Sequence, residues 1–306
     1  MRTEFLRASD LLRQDTPEAV GEAIGLLQSA VFSFSMKMCG HREDAEDTAQ
    51  EVLFRSLKHL PKLQEPAALA GWLYTVARNR CRRLRGVTQE SPARKLSLNE
   101  MMPDETELHE LLLDQAGSPE QQAVAGEHRD LLQRAVLRIP SQLRIVLVLH
   151  DMEELGTAQV AQILNLREGT VRVRLHRARL VLRKEVAIAL KGGLQHRSSA
   201  ARKGTKSGSK PAAGRRPKQC LELFASLSEY LDGRVNAETA KGIRTHMEQC
   251  PACVAFLCQL REAIEHCRSL EAECDPAVTS RLQTMLTQEY LRMARIGSGS
   301  QALRAG

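Results

Sequence analysis

Near the C-terminal end of the chain, His246, Cys250 and Cys253 stand in the stretch H246-M-E-Q-C250-P-A-C253, and a separate Cys220 lies upstream. Thiolate sulfur and imidazole nitrogen are the donors of four-coordinate zinc sites. His246 and Cys250 are four residues apart, so a helix through them puts both on one face. Pro251 suits the first position of the next helix, which places Cys250 at its N-cap and Cys253 in its first turn. Unpaired amides and the helix dipole there favour the thiolate that binds metal. A fourth ligand has to come from elsewhere. Cys258 lies about 140° round that helix from Cys253, and Cys267 about 21 Å along it. Cys220 opens C220-L-E-L-F-A-S-L-S-E-Y-L-D-G233, whose apolar stripe runs in line with it and whose Gly233 lets the chain fold back. The predicted set is Cys220, His246, Cys250 and Cys253 around one zinc ion. Four protein ligands leave no open position for hydrolysis.

The elements that must carry these ligands, and the rest of the chain, read as helices. Only 3% of the 306 residues are aromatic, a composition that suits an all-α protein better than a sandwich or barrel. Apolar residues at helical spacing run through Ala19, Ile24, Leu27, Val31 and Phe34, stop near Cys39 and Gly40, and resume at Ala45, Ala49, Val52, Leu53 and Leu57. That pattern predicts a helical hairpin. A third helix from about Ala67 runs through Trp72, Leu73, Val76 and Ala77 into R78-N-R-C-R-R-L-R85, with Trp72 expected in the core.

Farther along, AQVAQILNL (158–166), a turn R-E-G and a helix from Thr170 make the pattern of a helix-turn-helix. Val160, Ile163 and Leu164 of the first helix and Val171, Leu175 and Ala178 of the second line up inward. Arg172, Arg174, Arg177 and Arg179 are left for the other faces. The planar fork of arginine takes the O6 and N7 of guanine together, and elsewhere it neutralises phosphate.

The formal charge of +7 is local. Nine basic residues and no acid fall between Lys191 and Gln219, leaving 35 basic against 37 acidic side chains in the rest. That Gly-, Ser- and Lys-rich stretch has almost nothing to bury and predicts a flexible tether. Residues 99–120 hold seven acids and no Lys or Arg, which predicts an acidic linker. No run of 18 apolar residues and no signal peptide is present, so a cytoplasmic protein without a membrane contact is expected. Motifs of phosphate-binding, dinucleotide, hydrolase and metalloprotease sites are absent, and no enzyme is expected.

Two stretches carry a family resemblance. E43-D-A-E-D-T-A-Q-E-V-L-F-R55 followed by G71-W-L-Y-T-V-A-R-N-R80 resembles region 2 of the extracytoplasmic-function sigma factors of bacterial RNA polymerase, and I139-P-S-Q-L-R-I-V-L-V-L-H150 with the helix-turn-helix resembles their region 4. Helical spacing puts Asp44, Asp47, Gln50, Glu51 and Arg55 in one polar stripe, and the resemblance implies that this stripe docks on core RNA polymerase. It implies further that Arg78, Asn79, Arg80, Arg82 and Arg83 engage the minus-ten promoter element. Thr170, Arg172, Arg174 and Arg177 are then the minus-35 contacts. The block from Cys220 to about Leu270 resembles a zinc-binding anti-sigma domain, which in that family packs against the sigma factor, so an intramolecular contact between the zinc domain and the sigma domains is expected.

The resulting division is an N-terminal extension (1–18), region 2 (19–86), an acidic linker (87–125), region 4 (126–190), a basic linker (191–219), the zinc domain (220–272) and an amphipathic or disordered tail (273–306). The competing reading is a helix-turn-helix regulator that binds promoter DNA without polymerase; the stripe from Asp44 to Arg55 has no use there.

Overall fold

A computed structural model describes residues 2–63, 65–84, 125–198 and 218–302; every regular element among them is helical. The acidic linker and most of the basic one lie outside the described residues. Two compact units result, each built from separated stretches of chain.

The first unit comprises Met1–Ser91, Val148–Glu168 and Glu271–Gly306. Its centre is α2 (Pro17–Cys39), which begins at an N-cap where Thr16 accepts a hydrogen bond from the Ala19 amide, with Pro17 at the first position. It stops at Gly40, whose φ of 76° is the left-handed conformation that glycine adopts without strain. By length and composition α2 could cross a membrane, but 72% of its apolar window is buried inside the protein, which is the burial of a core helix.

Around it lie α1 (Thr3–Gln14), α3 (Arg42–Ser56) and α4 (Pro66–Leu84). Phe5, Phe32, Phe34 and Tyr74 are completely buried, with Tyr74 edge-on to Phe5 at 5.3 Å and tilted on Phe34 at 4.9 Å. Residues 1–18, expected as an extension, therefore contain a core helix. Tyr74, not Trp72, is the buried aromatic of α4. Trp72 is half-buried and lies tilted against His59 at 4.9 Å, because Leu69, Ala70, Leu73 and Ala77 fill the inward face.

From residue 125 the chain runs through α5 (Ala125–Arg138), α6 (Ser141–Leu147) and a π-helical turn (Val148–Met152) to α7 (Thr157–Leu164). The turn and α7 belong to the first unit. There Glu153, wholly buried, accepts from Lys37 Nζ at 2.8 Å and Tyr74 Oη at 2.5 Å and pairs with Arg2 at 3.4 Å. Burial by itself raises a carboxyl pKa; Lys37 and Arg2, with the hydrogen bonds from Lys37 and Tyr74, outweigh it and hold Glu153 below the usual range.

The final helix, α12 (Pro276–Ala302), also packs in the first unit, against α2 and α3. Leu282, Leu286 and Tyr290, spaced at four, are buried. Gly21 and Gly25 of α2 face Gln283 and Thr287: an added Cβ at either would meet their side chains at 3.4–3.9 Å, an ordinary contact, and Gln283 donates to the Gly21 carbonyl at 2.6 Å. The expected tail is amphipathic and helical.

The second unit comprises Pro92–Leu147 and Gly169–Leu270. Its described helices are α5, α6, α8 (Glu168–Ser198), α9 (Lys218–Leu231), α10 (Ala237–Gln249) and α11 (Pro251–Arg268). α8 continues eight residues past the boundary drawn at 190. α11 packs on α5, and Phe224 meets Phe256 edge-on at 4.8 Å.

Candidate functional site

α9 supplies Cys220, α10 supplies His246, and the junction with α11 supplies Cys250 and Cys253. Local chemistry makes this junction. Asn236 caps α10 by accepting from the Thr239 amide at 2.7 Å. Cys250 is the N-cap of α11 with Pro251 at its first position, and the Cys253 amide bonds back to the Cys250 carbonyl at 3.1 Å. Gly233, at φ 67°, turns the chain after α9.

All four ligand atoms lie within 4.8 Å of one another. Cys220 and Cys253 sulfurs are 3.8 Å apart, and His246 Nε2 is 3.3 Å from Cys253 Sγ and 3.6 Å from Cys220 Sγ. A tetrahedral ion with bonds of about 2.3 Å to sulfur and 2.0 Å to nitrogen gives ligand separations of about 3.8 and 3.5 Å. The cluster therefore has the size and donor chemistry of one tetrahedral metal. Burial, then the neighbouring Cys250 and Cys220 thiols, push the Cys253 thiol up, so metal entry has to displace protons. Cys258 is exposed and Cys267 buried outside this cluster.

Along α3, Asp47, Gln50 and Arg55 are exposed and Asp44 and Glu51 half-buried, while Ala45, Thr48, Ala49, Val52 and Leu53 turn inward. The polar stripe expected from the spacing exists as one surface. Phe54 joins it at 57% exposure, an apolar member that the sequence reading left out. Glu51 pairs with Arg55 at 2.6 Å and with Arg80 of α4 at 2.7 Å. Arg82 and Arg83 are exposed. Arg78 is half-buried, donating to the Ile163 carbonyl at 2.5 Å and to Asn79 Oδ1 at 2.8 Å. Burial, then the charge of Arg82, lowers its pKa.

The helix-turn-helix differs from expectation at its turn. α7 closes on Asn165 in the left-handed conformation (φ 53°), with the Leu166 amide on the Ala161 carbonyl at 2.9 Å. The turn is residues 165–167, and Gly169 falls inside α8. Asparagine carries the left-handed position because its short amide tolerates it. On α8, Arg172 and Arg177 are exposed and Thr170 and Arg174 half-buried, but residues 178–183 are all buried.

Arg179, expected on an outer face, is 3% exposed. It donates to the Ser228 carbonyl at 3.1 Å and to Ser228 Oγ at 2.8 Å, and pairs with Asp232 at 2.7 Å. One turn on, the Arg183 guanidinium lies 4.6 Å over the ring of Phe256. Both contacts come from α9 to α11, so sequence reasoning missed two arginines that bind protein.

Residues 24–87 match the Sigma-70 region 2 family, 129–182 the Sigma-70, region 4 family and 220–253 a zinc-finger family. The ECF RNA polymerase sigma factor SigW of Bacillus subtilis is 25% identical over 175 residues, covering 57% of this chain and 92% of that protein. The ECF RNA polymerase sigma factor SigL of Mycobacterium tuberculosis is 30% identical over 166 residues, covering 51% of this chain and 81% of that protein. The chain belongs to the ECF RNA polymerase sigma factors.

This sigma factor serves promoter-specific initiation with core RNA polymerase, as its regions 2 and 4 imply. Sigma factors are initiation factors and not enzymes. The alignments with SigW and SigL span about half of this sigma factor, and the block from Cys220 matches the zinc-finger family separately. A fused zinc-finger block thus follows region 4.

Proposed function

We propose that this sigma factor docks on core polymerase through Asp44, Asp47, Gln50, Glu51 and Arg55. In this reading it engages promoter DNA through Arg78, Asn79, Arg80, Arg82 and Arg83 at the minus-ten element and through Thr170, Arg172, Arg174 and Arg177 at minus-35. The Cys220, His246, Cys250 and Cys253 cluster holds a structural zinc ion. The domain built on that ion, with α12, restrains the sigma factor in cis.

The observation that carries the restraint is Arg179, an arginine of the helix that enters DNA, buried against Ser228 and Asp232 of the zinc-finger block. A buried guanidinium with a charged partner and a carbonyl is a specific contact, because removing either side leaves an unpaired charge in a dry place. The exposed first turns of α8 are the part that reads bases in this motif, so the restraint leaves the reading residues uncovered and grips the helix behind them. α12, seated on Gly21 and Gly25 beside α3, is the second hold.

Linkage within one chain makes even weak contacts effective. At an effective concentration of ~1 mM, a contact with a Kd of ~0.1 mM is closed in roughly nine molecules of ten. Removing residues 218–306 therefore raises run-off transcription with core polymerase on the order of tenfold, and ending the chain at residue 272 raises it less. Unchanged or lower output from the shorter chain would overturn restraint in cis.

Docking is tested separately. Asp47→Arg places a cation where the stripe offers an exposed carboxylate, and charge mismatch at an interface costs several kcal/mol. Core polymerase binding measured by co-purification drops at least tenfold while helicity stays unchanged; retention of binding would remove the stripe from the interface.

A further inference from the structure

One carboxylate joins two surfaces with different partners. Glu51 projects from α3 within the polar stripe, and its two oxygens are divided: Oε1 pairs with Arg55 of the same helix at 2.6 Å, and Oε2 pairs with Arg80 of α4 at 2.7 Å. Of the four arginines at 78, 80, 82 and 83, the carboxylate neutralises Arg80. Arg78 is held by Asn79 and the Ile163 carbonyl, and Arg82 and Arg83 are exposed. Glu51 is 25% and Arg80 29% exposed, with Arg80 Nε, the atom that faces Oε2, itself buried, so an incoming partner meets the exposed remainder of each side chain.

A carboxylate oxygen that accepts from a new donor gives up part of its hold on the old one. An arginine paired to protein is also a poorer phosphate ligand than a released one, because binding DNA then requires breaking the pair. We propose that Glu51 is a positioning residue that couples polymerase docking to DNA capture. In the free sigma factor it holds Arg80 neutralised, and when a donor on core polymerase takes the carboxylate, Arg80 passes to the nucleic-acid backbone. The inference rests on the docking role given above to the stripe. Because coupling between two sites is reciprocal, DNA bound at Arg80 strengthens the hold of Glu51 on polymerase by the same factor.

A half-exposed ion pair is weak, so the coupling is modest, roughly two- to fivefold in affinity. That size suits a device that biases the order of binding without preventing either step.

The test uses the full chain and three variants: Glu51→Gln, Arg80→Gln and the double substitution. The probe is fluorescent oligo(dT), which reports backbone contacts without a promoter sequence. In the absence of polymerase, Glu51→Gln binds oligo(dT) roughly two- to fivefold tighter than the parent, by the weight of one such pair. Its plot of log affinity against log salt is steeper by about 0.7, the mark of one further phosphate contact on a single strand. In the Arg80→Gln background the same change at Glu51 alters neither affinity nor slope.

With core polymerase present, saturating oligo(dT) tightens sigma binding in the parent by that same factor and has no such effect in Arg80→Gln. A gain from Glu51→Gln that persists without Arg80 would show a general charge effect and overturn the relay. So would the absence of any gain, or equal tightening by oligo(dT) in the parent and Arg80→Gln. Failure of the docking reading is visible elsewhere, as undiminished polymerase binding by Asp47→Arg, and leaves the polymerase-free oligo(dT) result to be judged by itself.

Discussion

Glu153→Ala destabilises the first unit by about 3–5 kcal/mol, the cost of removing one member of a buried ion pair. The loss is large because of what remains: Lys37, 5% exposed, is left without its carboxylate partner, and the buried Tyr74 hydroxyl loses its acceptor. Thermal unfolding followed by circular dichroism falls on the order of 10 °C for a unit of this size. Lys37→Met combined with Glu153→Met recovers part of that, since two apolar side chains replace the Lys37–Glu153 pair and Arg2 keeps Glu4 and Glu271, while the Tyr74 hydroxyl still lacks its acceptor. A double variant no more stable than Glu153→Ala would show that the cluster acts through something other than charge.

The same carboxylate sets a pH dependence. Its folded-state pKa is depressed, so its contribution is complete above the ordinary carboxyl value of about 4.3 and is lost as the pH falls from there towards the folded value. A stability gap between the parent and Glu153→Gln that failed to narrow as the pH fell below about 4 would contradict the assignment.

Cys253→Ser abolishes metal binding and unfolds α9 to α11. Structural zinc in small domains contributes about 10–16 kcal/mol of apparent binding energy, as much as or more than the whole stability of a typical domain. Metal analysis of the parent finds one zinc per chain; the variant, or the parent after chelation, has none and loses the helicity of that segment. Cys258→Ser, at an exposed position outside the cluster, keeps both. Metal-free parent protein with intact helices would remove the zinc site.

The metal cluster was legible because its chemistry is local: a one-turn spacing, a proline that starts a helix and an in-line Cys220 all act within a few residues of each ligand. The stripe on α3 was legible for the same reason, since the period of a helix sorts Asp47 and Gln50 from Ala45 and Ala49. Arg179 was not. It stands two residues from the exposed Arg177 in an arginine-rich run, and what buries it is Ser228 and Asp232, 49 and 53 residues later. Glu153 and Glu154 make the point at its sharpest: adjacent and chemically identical, one is wholly buried and the other exposed. Only the folding of Lys37 and Tyr74 around the first distinguishes them. Likewise the four-residue period of Leu282, Leu286 and Tyr290 marks an amphipathic helix, but nothing in it names Gly21 and Gly25 as the surface it covers.

The bond from Gln283 to Gly21 spans 262 residues of chain, and this separation is also a delay. At synthesis rates of ~5–20 residues per second, the Gly21 face of α2 leaves the ribosome about 13–50 s before the helix that covers it. For that interval a nascent region 2 meets the cell without its cover. On the restraint proposed above, a polymerase met within that interval meets the sigma factor before its cover exists, so the order of synthesis as well as the equilibrium bears on the first partner.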